Sequence, residues 1–110
     1  MHKSNFAKYI KERENKEVIE DEYGFATYLY ENDYVYIEDI YVIPEKRKDK
    51  IASKYADAIA LEAKELGYNK MLGSVVPSSP NSTISLKVLL GYGFKLLSSQ
   101  ENMIYFIKEI

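Results

Sequence analysis

Apolar positions gather in one central run. Tyr34-Val35-Tyr36-Ile37-Glu38-Asp39-Ile40-Tyr41-Val42-Ile43 is apolar apart from two acids at its middle, and Pro44 ends it. This pattern predicts a central strand from Tyr34 to Ile43. Ile51, Tyr55, Ala58, Ile59, Ala63 and Leu66 then recur near the helical period. They predict a helix from about Lys48 to Leu66, with Gly67 as its C-terminal cap. Upstream, Ser4 caps a helix to about Glu14 that carries Phe6, Tyr9 and Ile10 on one face. Glu17 to Glu22 is a weak strand, broken by Gly24. Phe25 to Glu31 is a Tyr-rich strand turning at Asn32-Asp33. Downstream come a strand at Met71 to Val76 and a loop over Pro77-Ser78-Ser79-Pro80-Asn81. A helix capped by Asn81 or Ser82 follows and is stopped by Gly91 and Gly93. A hairpin of Lys95 to Ser99 and Met103 to Lys108 closes the chain. The order is α-β-β-β-α-β-α-β-β, an α/β (α+β) fold with a mixed sheet and helices on its faces.

Composition narrows the classes. The chain has 110 residues, enough for one core over residues 1–110 and no second domain, and 46% of it is apolar. A net charge of −2 disfavours general nucleic-acid binding. The absence of cysteine excludes disulfides, thiolate catalysis and cysteine-based zinc sites. No apolar run approaches the roughly 18 residues of a membrane span, and the N-terminus lacks a signal-peptide pattern. The plain expectation is a cytoplasmic protein. His2 is the lone histidine, so Ser78, Ser79, Ser82 and Ser85 lack the partner a serine triad needs. No ligand cluster has metal spacing.

The chemistry concentrates where the central strand meets the long helix. Lys46, Arg47, Lys48 and Lys50 crowd the turn between Pro44 and Ile51. A strand, a basic turn and a helix N-terminus form an anion site, because first-turn amides and the helix dipole both favour phosphate. The bland reading of that run is a solvated charged face. Strict alternation puts Glu38 with Tyr36, Ile40 and Val42 on one face, and Asp39 with Ile37 and Tyr41 on the other. Each acid reads either as hydrogen-bonded structure or as a proton-transfer group beside a phosphate site.

The wording of this segment resembles the Gcn5-related N-acetyltransferase (GNAT) superfamily. Val42-Ile43-Pro44 and Arg47-Lys48-Asp49-Lys50-Ile51-Ala52 fill the pattern "V-x-P, two residues, R/Q-x-x-G-x-G/A, helix". Tyr36 to Val42 is most similar to the polyamine and small-amine branch. The likeness continues through Ala63 to Gly67, the strand at 70 to 76 and Gly93-Phe94, covering roughly residues 16 to 110. It implies a mostly antiparallel GNAT-like sheet, shortened at its N-terminus, and acetyl-CoA as co-substrate. By this resemblance Glu38 is the general base, with Asp39 a second base or an orienter of the amine. A base is needed because an ammonium must lose a proton before it attacks a thioester, and an apolar setting raises a carboxylate toward that task. The resemblance also gives Ile40, Tyr41 and Val42 to the pantetheine arm and residues Arg47, Lys48, Asp49, Lys50, Ile51 and Ala52 to the pyrophosphate. Ser82 and Ser85 join the cofactor from the later helix. Strand 34–43 is expected to splay from the strand at 70–76.

Three departures qualify the likeness. Lys50 stands where the family has a glycine, and Leu89 stands where it has the tyrosine that protonates the departing thiolate. Water or Tyr92 is left for that task, and a thiol pKa near 8.5 makes thiolate a tolerable leaving group. The family's first strand and helix have no counterpart ahead of residue 4. The acceptor pocket is therefore open, or completed by a second subunit in a homodimer. Tyr28, Tyr30, Tyr34, Tyr36 and Tyr41 are candidates for a cation–π amine pocket, or are ordinary strand aromatics. Two functions follow. One is an acetyl-CoA-dependent N-acetyltransferase acting on a primary amine of a small molecule or protein. The other is a catalytically impaired GNAT-fold binding or assembly component, of the kind a phage or mobile element encodes.

Overall fold

The computed structural model describes residues 4–80 and 82–110. The elements are α1 (Asn5–Glu14), β1 (Glu17–Asp21), β2 (Gly24–Tyr30), β3 (Val35–Val42), a 3-10 turn (Pro44–Lys46), α2 (Ile51–Glu65), β4 (Lys70–Val75), α3 (Ser82–Tyr92), β5 (Lys95–Gln100) and β6 (Met103–Glu109). This is the order the hydrophobic pattern predicts. Asn81 and His2 lie outside the described residues.

The six strands form one mixed sheet in the order β1-β2-β3-β4-β6-β5. Every neighbouring pair is antiparallel except β3 and β4, which run parallel across the α2 crossover. The core fills the space beneath α2 and α3. Val35, Ile37, Ile59, Met71, Leu89, Phe94 and Phe106 are buried there. Burying such side chains is worth about 1.5–3 kcal/mol each, so this layer dominates the fold's stability. Helix α1 covers the opposite face, where Phe6 packs edge-on against Phe25 at 5.4 Å. Ser4 caps it as expected, its hydroxyl accepting from the Ala7 amide at 3.0 Å. Phe6 and Tyr9 nevertheless remain largely exposed.

Several boundaries differ from expectation for local reasons. Gly24 does not break a strand; it opens β2 opposite Val42. A Cβ at Gly24 would lie 1.9 Å from the Tyr41 carbonyl oxygen, so only glycine fits this approach. Helix α2 begins at Ile51 rather than Lys48, because residues 44–50 wind through the 3-10 turn and end with Lys50 in the left-handed region at φ 58°. Leu66 is exposed rather than core, since the helix ends at Glu65. Gly67 then closes the end as expected: its amide reaches the Lys64 carbonyl, and the Tyr68 amide reaches that of Ala63. Helix α3 runs through Gly91 to Tyr92.

The strand that carries the acids has a β-bulge. Thr27 pairs with Asp39 while the next residue, Tyr28, pairs with Ile37, so Glu38 is the extra residue. A bulge shifts the phase of the side chains. Val35 and Ile37 are buried before it, Val42 is buried after it, and Glu38 and Asp39 are both exposed. Strict alternation across this strand therefore fails. Tyr36 does not share a face with Val42, and the two acids are not separated by the sheet.

Candidate functional site

Strands β3 and β4 pair over only three positions, Val35↔Met71, Tyr36↔Leu72 and Ile37↔Gly73. Beyond them β3 continues to Val42 and β4 to Val75 without pairing to each other. The expected splay is present, and it begins at Glu38. It opens a cleft of about 460 Å³, walled by β3, the 44–53 segment, β4 and α3. That volume is ordinary for a small-molecule or cofactor site.

The cleft gathers most of the sequence-predicted residues. Glu38, Ile40, Tyr41, Val42 and Ala52 line it, with Ser85 on the α3 side. Arg47, Lys48 and Lys50 line it too, and Lys87 of α3 adds a fourth cation. Glu38 is the lone carboxylate among these lining residues, so the cleft is basic in a chain of net charge −2. Arg47 is held in place, its Nε donating to the Val42 carbonyl at 3.0 Å and its guanidinium lying 5.9 Å from the Tyr41 ring. Helix α2 has no side-chain cap at Lys50, and the first-turn amides project from its N-terminal end. Cations, uncapped amides and the positive end of a helix suit a phosphorylated ligand.

Other predicted residues lie elsewhere. Asp39 is outside the cleft and accepts a hydrogen bond from the Thr27 hydroxyl at 3.3 Å. Asp49 is exposed, 3.7 Å from Lys46. Ile51 sinks its side chain into the core, leaving only its backbone for a ligand. Ser82 donates to the Pro77 carbonyl at 3.0 Å and closes the preceding loop. Tyr92 does not face the cleft, because its hydroxyl donates to Asp57 of α2 at 2.5 Å. Burial and that carboxylate push its pKa well above 10. Tyr28 and Tyr30 turn toward α2, donating to Glu62 at 3.0 and 2.6 Å. They form no amine pocket with Tyr41, which lines the cleft. Tyr36 shares a short hydrogen bond with Ser74, a cleft residue of β4.

Glu38 is not in the apolar setting expected of it. Its carboxylate is 2.7 Å from the Nζ of Lys16, which also lies 3.5 Å from Glu14. The hydrogen bond to Glu38 raises the Lys16 pKa above its ordinary value against the opposing effect of burial, with the Glu38 and Glu14 charges helping. Sequence reasoning missed Lys16. It stands 22 positions from Glu38, and no local spacing links a residue before β1 to one in the middle of β3. Lys87 and Ser74 were missed for the same reason, since only the tertiary fold brings them to the cleft; Ser53 lies one residue past Ala52, just beyond the motif.

Among the described residues no group of three or more histidine, cysteine or carboxylate side chains could hold a metal ion. No helix among them is long and apolar enough to cross a membrane.

Comparison with known proteins places this geometry. The fold is shared with PaiA N-acetyltransferase from Thermoplasma acidophilum, solved in complex with coenzyme A: TM-score 0.71 and 16% identity over 80% of this chain and 54% of that one. The chain thus spans about half the length of that relative. An acetyltransferase from Bacillus cereus ATCC 14579 matches with TM-score 0.66 and 16% identity over 100% of this chain and 96% of that one. The anti-CRISPR protein AcrVA5 matches with TM-score 0.66 and 18% identity, over 82% of this chain and 96% of that one. At these identities the likeness is one of fold. No curated protein matches the chain. Residues 8–86 match the acetyltransferase (GNAT) family, and with most of its length covered the chain belongs to that family.

Proposed function

We propose that the protein is an acetyl-CoA-dependent N-acetyltransferase that acetylates a primary amine of a small molecule or protein. The observation that carries this reading is the splay of β3 from β4 directly beside the basic turn and the α2 N-terminus. Unpaired backbone of β3 suits an extended amide-bearing arm, and the cations at 47, 48, 50 and 87 suit its phosphates. The family match supports acetyl transfer, and the coenzyme A complex of the Thermoplasma acidophilum protein supports the same co-substrate here.

In this reading Glu38 takes the proton of the acceptor ammonium. It is the first residue of β3 beyond the paired region, it lines the cleft, and it already holds an ammonium at 2.7 Å. Asp39, by resemblance a second base or an orienter of the amine, lies outside the cleft and accepts from the Thr27 hydroxyl, so the base role rests on Glu38. Leu89 offers no proton to the leaving thiolate, so water supplies it. Calorimetric titration with acetyl-CoA and CoA tests the cofactor half. Thioester consumption with a panel of polyamines, aminoglycosides and lysine peptides tests the transfer half. Tight CoA binding with no acceptor consumed would point to a cofactor-binding scaffold; no binding at millimolar CoA would remove both halves.

A further inference from the structure

Lys16 sits beside Glu38, the residue read above as the base. Its Nζ lies 2.7 Å from the carboxylate of Glu38, and its side chain is only 18% exposed. The residue leads into β1, so the side chain crosses β2 to reach β3. Glu38 is both the bulge residue and the residue at which β3 and β4 part. The ammonium is therefore held against the residue at which β3 and β4 part, although Lys16 itself is not among the residues that line the cleft. A surface ion pair of two flexible side chains would contribute little, but this one is anchored by a second carboxylate, Glu14, at 3.5 Å.

We infer that Lys16 is itself an acetyl acceptor, modified within the same chain. This inference rests on the acetyl-transfer reading above. The Lys16 ammonium gives one proton to Glu38, and the neutral nitrogen attacks the thioester carbonyl carbon of acetyl-CoA. A C–N bond forms and the C–S bond breaks. The electron pair of the C–S bond leaves with sulfur as CoA thiolate, which is protonated by water, and the second nitrogen proton passes to solvent. The products are N-acetyl-Lys16 and CoA. Holding nucleophile and base together makes the reaction unimolecular, which favours Lys16 over every lysine that must arrive by collision. Acetylation abolishes the charge on Lys16 and releases Glu38 from its partner.

The experiment is incubation of the full chain with acetyl-CoA, proteolysis, and mass-spectrometric mapping of acetyl groups over time. One acetyl group per chain is expected at Lys16, with a rate independent of protein concentration. Glu38→Gln slows the labelling by about 100-fold or more. Lys16→Arg keeps the ion pair and abolishes the label, while circular dichroism and CoA titration stay unchanged. Labelling of Lys16 no faster than that of exposed Lys64 or Lys95 overturns the inference. If free amines are acetylated and Lys16 is not, self-acetylation falls and the proposed function stands. If CoA does not bind, both fall.

Discussion

Arg47 donates through Nε to the carbonyl oxygen of Val42 at 3.0 Å. That one bond ties the basic turn to the end of the strand that carries Glu38. It fixes where the guanidinium stands and spends a backbone acceptor at the strand's last residue.

Arg47→Ala removes a positioned cation and its tether together. Hydrogen bonds to charged groups contribute about 1.5–3 kcal/mol. CoA affinity should therefore fall by roughly 10- to 100-fold in calorimetry. The loss should shrink as salt is added, because exposed charges are screened.

Lys50 occupies a left-handed backbone conformation with φ 58° and ψ 30°. For a residue with a Cβ this costs roughly 1–2 kcal/mol, whereas glycine adopts it freely but loses about 0.5–1 kcal/mol in chain entropy. Lys50→Gly should raise stability by about 0.5–1 kcal/mol, seen as a few degrees in Tm. Lys50→Ala removes the same charge but keeps the strain, so it should show no such gain. Thermal unfolding of the pair separates backbone from charge. CoA should also bind Lys50→Gly more tightly, since the backbone approach to pyrophosphate is then unobstructed.

Glu38→Gln keeps the shape of the cleft and removes its carboxylate. Turnover with amine acceptors should drop by about 10²–10⁴-fold while the Kd for acetyl-CoA changes little. Equal turnover for the two proteins would take Glu38 out of the chemistry.

Leu89 is buried against Gly73, where a Cβ would lie 2.9 Å from its Cδ2. Leu89→Tyr places a phenol beside the cleft at a modest packing cost of about 1–3 kcal/mol. CoA binding should hold, and turnover should rise if protonation of the thiolate limits the rate. Steady-state rates beside single-turnover rates decide this.

Alkaline pH should weaken the fold in a defined way. Lys16 has a folded-state pKa above its ordinary 10.5, through its hydrogen bond to Glu38. Its contribution is whole below 10.5 and is lost as pH rises through the higher folded value. Tyr28, Tyr30, Tyr55 and Tyr92 act in the same direction, because burial and their carboxylate partners hold them neutral above 10.0 while the unfolded chain ionises. Urea unfolding from about pH 9 to about pH 11 should show stability falling, and falling less in Lys16→Met. Ultraviolet titration should find these four phenols ionising only as the chain unfolds.

The sequence carried the element order because each element owns a local signal. Pro44 ends β3, Gly67 ends α2, and the apolar spacing of Ile51, Tyr55, Ile59 and Ala63 sets the face of α2. The basic turn was legible for the same reason. The bulge at Glu38 was not, because it is a count of residues on β3 against residues on β2, and no window of one strand contains that count. Lys16 and Lys87 were hidden by distance along the chain. Tyr28 and Tyr30 read as lining for a cation because aromatic residues announce area, while their hydroxyl partner, Glu62, lies on a helix more than thirty residues later.

Three rungs join β3 to β4, and beyond Ile37 the two strands do not pair with each other. The sheet therefore has an edge in its interior as well as at its rim. A rim edge invites any passing strand; this one is roofed by α3 and the 44–53 segment, so it admits only something narrow. Backbone left free in this way suits an extended occupant that pairs by main chain rather than side chain. Side-chain changes at Ile40 or Tyr41 should then be forgiven more readily than a single proline, which would delete a rung.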